Sequence, residues 1–195
     1  MLKFVNLHGH DGKSLYDAIG APEDYAEWVL KNAGEDSGAL AITNHGNMNS
    51  IGSIASAQKK YKDKIKFIYG IEAYYIESLE EWKKNKASFD AEDDEEQQDI
   101  EDEVESKQEI LNSINKRYHL VLLAQNQKGL ENLFVLTSRS YREGFYRKAR
   151  IDLEMLKKFN EGIICSSACL AGIGAKYILK NYEKGTKEVY GRLDE

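Results

Sequence analysis

The chain has 195 residues, 42% of them hydrophobic and 31% charged, which suits a single globular domain with a substantial core and excludes a membrane-embedded protein. No apolar run approaches the length of a membrane span, the first residues lack the pattern of a secretory leader, and two cysteines cannot build a disulfide framework, so a reducing cytoplasm is the expected compartment. The net charge of −6 arises in one segment: residues 90–105 carry eleven acids and no base, and outside them 27 basic residues face 22 acidic ones, a mildly basic body that permits a nucleic-acid partner.

Short apolar, β-prone runs at residues 3–7, 39–43, 66–71, 120–124 and 162–165 predict five strands. Pro22, the only proline, suits the first turn of a helix whose apolar face is Tyr25, Trp28, Val29 and Leu30. Ile51, Ile54, Ala55 and Gln58 open a second helix, and Leu130, Leu133, Phe134 and Leu136 mark a third. Residues 151–159 predict a fourth. Residues 79–115 contain no Pro or Gly and are polar, acidic and helix-prone. They read as a solvated helical or disordered insertion, with an acidic protein-docking segment as the alternative. Strands that alternate with helices and are apolar almost throughout predict an α/β fold, either a barrel or a doubly wound sheet.

The residues with chemical potential gather at the ends of these runs. His8 and His10 close the first, and side chains at i and i+2 of a strand share a face, so two imidazoles can reach one ion; two structural histidines are the plain alternative. His45 follows the second run, Glu72 the third, and Cys169 lies just past the fifth. His119 opens the fourth run, which places it with the others only if that strand returns antiparallel. Strand ends converge on the functional face of parallel α/β folds, and imidazoles, carboxylates and a thiol gathered there make a transition-metal site with more than one ion. Asp17 offers a further oxygen or is a turn aspartate. Cys165 sits within its strand as a small apolar residue, which leaves Cys169 as the candidate thiol ligand.

The segments Phe4-Val5-Asn6-Leu7-His8-Gly9-His10 and Ser14-Leu15-Tyr16-Asp17 resemble the opening of the polymerase-and-histidinol-phosphatase (PHP) domain of the C-family DNA polymerase III alpha subunit. Asn44-His45-Gly46-Asn47-Met48, Gly70-Ile71-Glu72-Ala73-Tyr74 and Tyr118-His119-Leu120 are similar to that family's next motifs, in order. Glu143-Gly144-Phe145-Tyr146, Ala149-Arg150-Ile151-Asp152 and Ser167-Ala168-Cys169-Leu170 continue the match. The resemblance implies a distorted β/α barrel of the PHP type, incomplete here because the sequence stops before an Asp-x-His pair that completes the family's metal cluster. It therefore implies a PHP domain over residues 1–195, truncated before its last strands and carrying the insertion at about 79–115.

The same resemblance implies a ligand set of His8, His10, Asp17, His45, Glu72, His119 and Cys169 for up to three divalent ions, Zn, Mn or Fe. His8, His10 and Glu72 are then expected at the reacting centre, with Arg150 as a phosphate contact or, alternatively, a surface charge. Three positions depart from the family: Asn44 where it usually has Asp, Asp11 where it has Thr, and Ala149 where it often has Pro. The implied activity is phosphoester hydrolysis or 3′–5′ exonucleolytic proofreading within a DNA polymerase, whose nucleotidyl transfer resides in other domains. The implied partners are DNA, reached through that polymerase, and its remaining domains or a downstream polypeptide. A structural module with weak catalysis and a free-standing metabolite phosphatase are the rival readings.

Overall fold

The computed structural model describes residues 5–33, 38–62, 64–93 and 101–182. In chain order these hold α1 (Pro22–Ala33), β1 (Ala39–Ile42), α2 (Ile51–Lys60), β2 (Lys66–Tyr75), α3 (Leu79–Asp93), α4 (Glu101–Asn115) and β3 (Tyr118–Ala124). There follow α5 (Gln127–Glu143), β4 (Phe145–Tyr146), β5 (Lys148–Ile151), α6 (Leu153–Lys158), β6 (Ile163–Ser166) and α7 (Ile173–Asn181). The α/β class is as expected, with parallel and antiparallel pairing mixed in one open sheet of order β4-β5-β2-β3-β6, while β1 pairs with β2. No helix among the described residues is long and apolar enough to cross a membrane.

β2 organises the sheet. Its first half pairs parallel with β1, from Ala39 opposite Lys66 to Ile42 opposite Tyr69. Its second half pairs antiparallel with β3 and, on the edge β1 has left, parallel with β5. β3 is therefore the returning strand that His119 required. Because side chains alternate across a sheet, Ile71, Ala73 and Tyr75 face the main core with Leu120, Leu122, Leu133 and Leu136. Glu72 and Tyr74 face the opposite side with Val121 and His119.

Three expectations are corrected. The described part of the 3–7 run is not a strand: Asn6 makes one parallel bridge with Leu40, and residues 1–4 lie outside the described residues. The third strand does not end at Ile71, since Tyr74 and Tyr75 continue it and place Glu72 mid-strand. The fourth helix begins at Leu153 rather than at residue 151, because Ile151 ends β5 and Asp152 caps the helix by accepting from the Met155 amide at 2.9 Å. That same carboxylate accepts from the Leu79 amide at 3.0 Å and so joins the start of α3 to the start of α6.

Helices α3 and α4 occupy most of the acidic region. Their near ends are rooted in the core, where Leu79, Trp82 and Ile114 are buried and the Trp82 indole donates to the Ile114 carbonyl at 3.0 Å. Much of the most acidic stretch lies outside the described side chains.

Candidate metal centre

Glu72 stands at the middle of β2 with its side chain 1% exposed, and four imidazoles surround it. Its Oε2 lies 2.9 Å from His8 Nε2, 3.0 Å from His10 Nε2 and 3.1 Å from His45 Nε2. Its Oε1 lies 2.9 Å from His119 Nδ1 and 3.4 Å from Cys169 Sγ. Asp17 stands at the rim, its Oδ2 3.7 Å from His45 Nε2. The structure thus brings together all seven residues matched to the family's ligand pattern.

They arrive from several parts of the fold, His8 and His10 together on one segment. The His8–His10 segment is fixed to β1 by hydrogen bonds from the Ala41 amide to the Asn6 carbonyl and from the Thr43 amide to the Gly9 carbonyl. The approach is so close at Gly9 that a Cβ there would stand 2.7 Å from the Ala41 carbonyl oxygen. His45 makes a parallel bridge with Glu72, after which Gly46 turns the chain away at φ +61°. His119 comes from β3, opposite Tyr74. Cys169 follows β6, where the Ala171 amide donates to its sulfur at 3.4 Å. Cys165 stays in β6, paired with Leu122 and outside the cluster.

The donors fit a cation. Oε2 of Glu72 and Nε2 of His8 are both buried and lack an aligned hydrogen-bond partner although they are 2.9 Å apart. Close approach without alignment is what ligand atoms show when they surround a common point. Two sets of three, His8/His10/Glu72 and His45/Glu72/His119, have their donor atoms within 4.8 Å of one another and share Glu72. Burial disfavours charge on Glu72, but the imidazoles of His10, His119, His8 and His45 outweigh it and hold the carboxyl well below its usual range. Burial lowers the pKa of His45, favouring the neutral imidazole that binds metals. Burial also pushes the Cys169 thiol up, so its thiolate needs a cation beside it.

Other residues shape the site, and Tyr74, Ser14 and Ser50 among them were not singled out from sequence. Tyr74 stacks on the His45 ring at 5.6 Å. Ser14 Oγ donates to Asp17 Oδ2 at 2.7 Å and accepts from the His45 amide at 3.1 Å, tying rim to floor. Behind it, Asn44 Nδ2 donates to Asp11 Oδ1 at 2.7 Å and to Ser50 Oγ at 2.9 Å, while Asn44 Oδ1 accepts from the Asp11 amide at 2.9 Å. Asp11 and Asn44, two of the three positions expected from the resemblance to depart from the family, therefore touch each other in one buried pair.

Arg150 is not brought to the cluster. It is fully buried, its guanidinium donating to the carbonyls of Tyr146 and Lys148 at 2.7 Å and of Ile114 at 3.1 Å, over the Trp82 ring. Desolvation lowers its pKa to about 10, which leaves it charged at neutral pH.

The comparisons agree with the motifs. DNA polymerase III subunit alpha of Borreliella burgdorferi is 35% identical over 188 residues, covering 96% of this chain and 14% of that protein. The subunit of the same name from Aquifex aeolicus is 35% identical over 187 residues, covering 95% and 14%. The chain thus spans about a seventh of the length of these relatives. A solved amidohydrolase from Chromobacterium violaceum aligns over 71% of this chain and 34% of its own at 16% identity with a TM-score of 0.37, too slight a likeness to carry an argument. A model of the PHP domain matches residues 6–195, and on that match the chain belongs to the PHP domain family.

Proposed function

We propose that this chain is the metal-binding PHP domain of a replicative DNA polymerase alpha subunit, and that its centre cleaves phosphoesters in the manner of a 3′–5′ exonuclease. The observation that carries the reading is the pair of three-donor sets sharing one buried carboxylate, Glu72. His8 and His10 would serve one set and His45 and His119 the other, with Asp17 and Cys169 adding an oxygen and a sulfur at opposite sides. A mixture of imidazole, carboxylate and thiol suits Zn, Mn or Fe. Such cations, when bound, neutralise charge developing on phosphoryl oxygens and make a nearby water more acidic.

The protein's own part is orientation and exclusion. Glu72 lies beneath four rings, Tyr74 stacks on His45, and Ser14 holds the Asp17 carboxylate at the open rim. Arg150 is assigned no part in this reading, since it is fully buried away from the cluster with its terminal guanidinium nitrogens held by three carbonyls. The nucleotidyl transfer of a polymerase would belong to other domains, and DNA would reach this one through them in the cytoplasm.

A second reading, a docking module with weak catalysis, is favoured by one observation. Helix α7 buries none of its residues, and Ile164, Leu170 and Leu179 are exposed, an apolar surface on which neighbouring polymerase domains would pack. Hydrolysis of bis-p-nitrophenyl phosphate with added Mn²⁺ separates the two. The phosphoesterase reading expects turnover abolished by a chelator and by Glu72→Gln; turnover that survives Glu72→Gln, or none at any metal concentration, overturns it.

A further inference from the structure

A cleft of about 480 Å³ adjoins the rim of the centre, a size suited to a small ligand. His45, Asp17 and Tyr74 form its inner end. One wall is the loop bearing Lys13 and Tyr16, and the other is the end of α5 with the β4–β5 turn. Tyr141 and Phe145 stack on each other in that second wall, centroids 5.7 Å apart and rings inclined by 16°. Both are about half exposed, so the core does not account for them. Tyr16 is wholly exposed on the facing loop at φ 73°, a backbone conformation that costs a non-glycine residue free energy. Lys13, Arg147 and Lys148 supply three positive charges, while Asp17, beside the centre, is the one carboxylate among the described residues of the lining.

Aromatic faces for bases and cations for phosphates, in a groove ending at a metal centre, are the elements of a single-stranded nucleic-acid channel. We propose that this cleft is the substrate channel of the centre, taking the terminal nucleotides of a single strand. A base stacks on Phe145 and Tyr141, and Lys148, Arg147 and Lys13 hold the backbone so that the terminal phosphodiester lies at His45 and Asp17. The inference rests on the phosphoesterase reading for its direction, but binding in the cleft does not require turnover.

The test is fluorescence anisotropy of a short fluorescein-labelled oligothymidylate on the whole chain in excess chelator, so that binding is read without cleavage. Phe145→Ala and Tyr141→Leu should each weaken binding by about tenfold, the effect of losing one stacked base. Arg147→Glu should weaken it further and flatten its dependence on salt. An abasic strand of the same length, with equal phosphates and no bases, should bind the native chain at least about fivefold more weakly. Circular dichroism and the metal content of each variant establish that the fold and centre are intact. Equal affinity for the abasic and normal strands, or affinities unmoved by all three substitutions, overturns the channel even if bis-p-nitrophenyl phosphate is still hydrolysed. Loss of that hydrolysis alone, with strand binding still sensitive to Phe145 and Arg147, would overturn the phosphoesterase reading and leave the channel standing.

Discussion

Asn44→Asp puts the buried pair behind His45 to a quantitative test. Asp11, Asn44 and Ser50 are each 1% exposed, and among the described residues Asp11 makes no ion pair: its Oδ1 accepts from the Lys13 amide at 2.9 Å and from Asn44 Nδ2 at 2.7 Å. Replacing that amide with a carboxylate removes two donated bonds, to Asp11 and Ser50, and sets two acids together away from water. An uncompensated buried charge costs about 3–5 kcal/mol. The variant can instead keep one proton on the pair, and by linkage that cost corresponds to a carboxyl raised by roughly two to four pK units over the ordinary ~3.9 of aspartate. A carboxyl raised in the folded state confers stability that is complete below ~3.9 and is lost as pH climbs through the raised value. The penalty relative to the native chain should thus be small near pH 4 and reach its full size above about pH 6–8. Urea unfolding of both proteins across that range measures it. Asp11→Thr combined with Asn44→Asp returns the single carboxylate to the other side and should recover most of the loss, a coupling of about 2–3 kcal/mol. If Asn44→Asp stays within about 0.5 kcal/mol of the native chain at pH 8, the size of an ordinary surface change, the buried-pair argument fails.

Trp82→Ala should cost about 3–5 kcal/mol in thermal or urea unfolding, because the indole fills the core where α3 and α4 are rooted, while metal content stays unchanged. Arg150→Met should cost at least about 3 kcal/mol by leaving the carbonyls of Tyr146, Lys148 and Ile114 without their donor. The folded fraction should hydrolyse phosphoester at the native rate, and lost turnover at native stability would return Arg150 to the reaction. Gly46→Ala should cost about 1–2 kcal/mol for its φ of +61° alone. The added methyl also meets Tyr74 at 2.9 Å, so metal affinity should fall as His45 shifts; unchanged affinity in calorimetry would argue against that coupling.

The candidate ligands were legible because imidazoles, a carboxylate and a thiol at the ends of apolar runs are costly to place there without a purpose. Their geometry was less so. His8 and His10 were expected to share a face through regular strand alternation, whereas a single bridge at Asn6 and two backbone hydrogen bonds fix them. Glu72 looked like a strand end because a charged residue interrupts an apolar run, yet its four imidazoles make it tolerable in mid-strand. Asp11 and Asn44 stood out only as separate departures from a family pattern, and only the tertiary approach of two loops shows them, with Ser14 and Ser50, as one network. Arg150 read as either a phosphate contact or a surface charge because its partners are carbonyls, which leave no mark in side-chain chemistry. The β4–β5 turn was missed because strands of two and four residues reversing at Arg147, φ 58°, are too short to show a period.

If Glu72 joins two cation sites, calorimetric titration of Mn²⁺ or Zn²⁺ into the chelator-stripped chain and into Glu72→Gln will read the loss of that junction. The native chain should bind more than one ion, and the variant should lose that stoichiometry at unchanged secondary structure. A native chain that binds no ion, or a variant that binds as many ions as tightly, would contradict it.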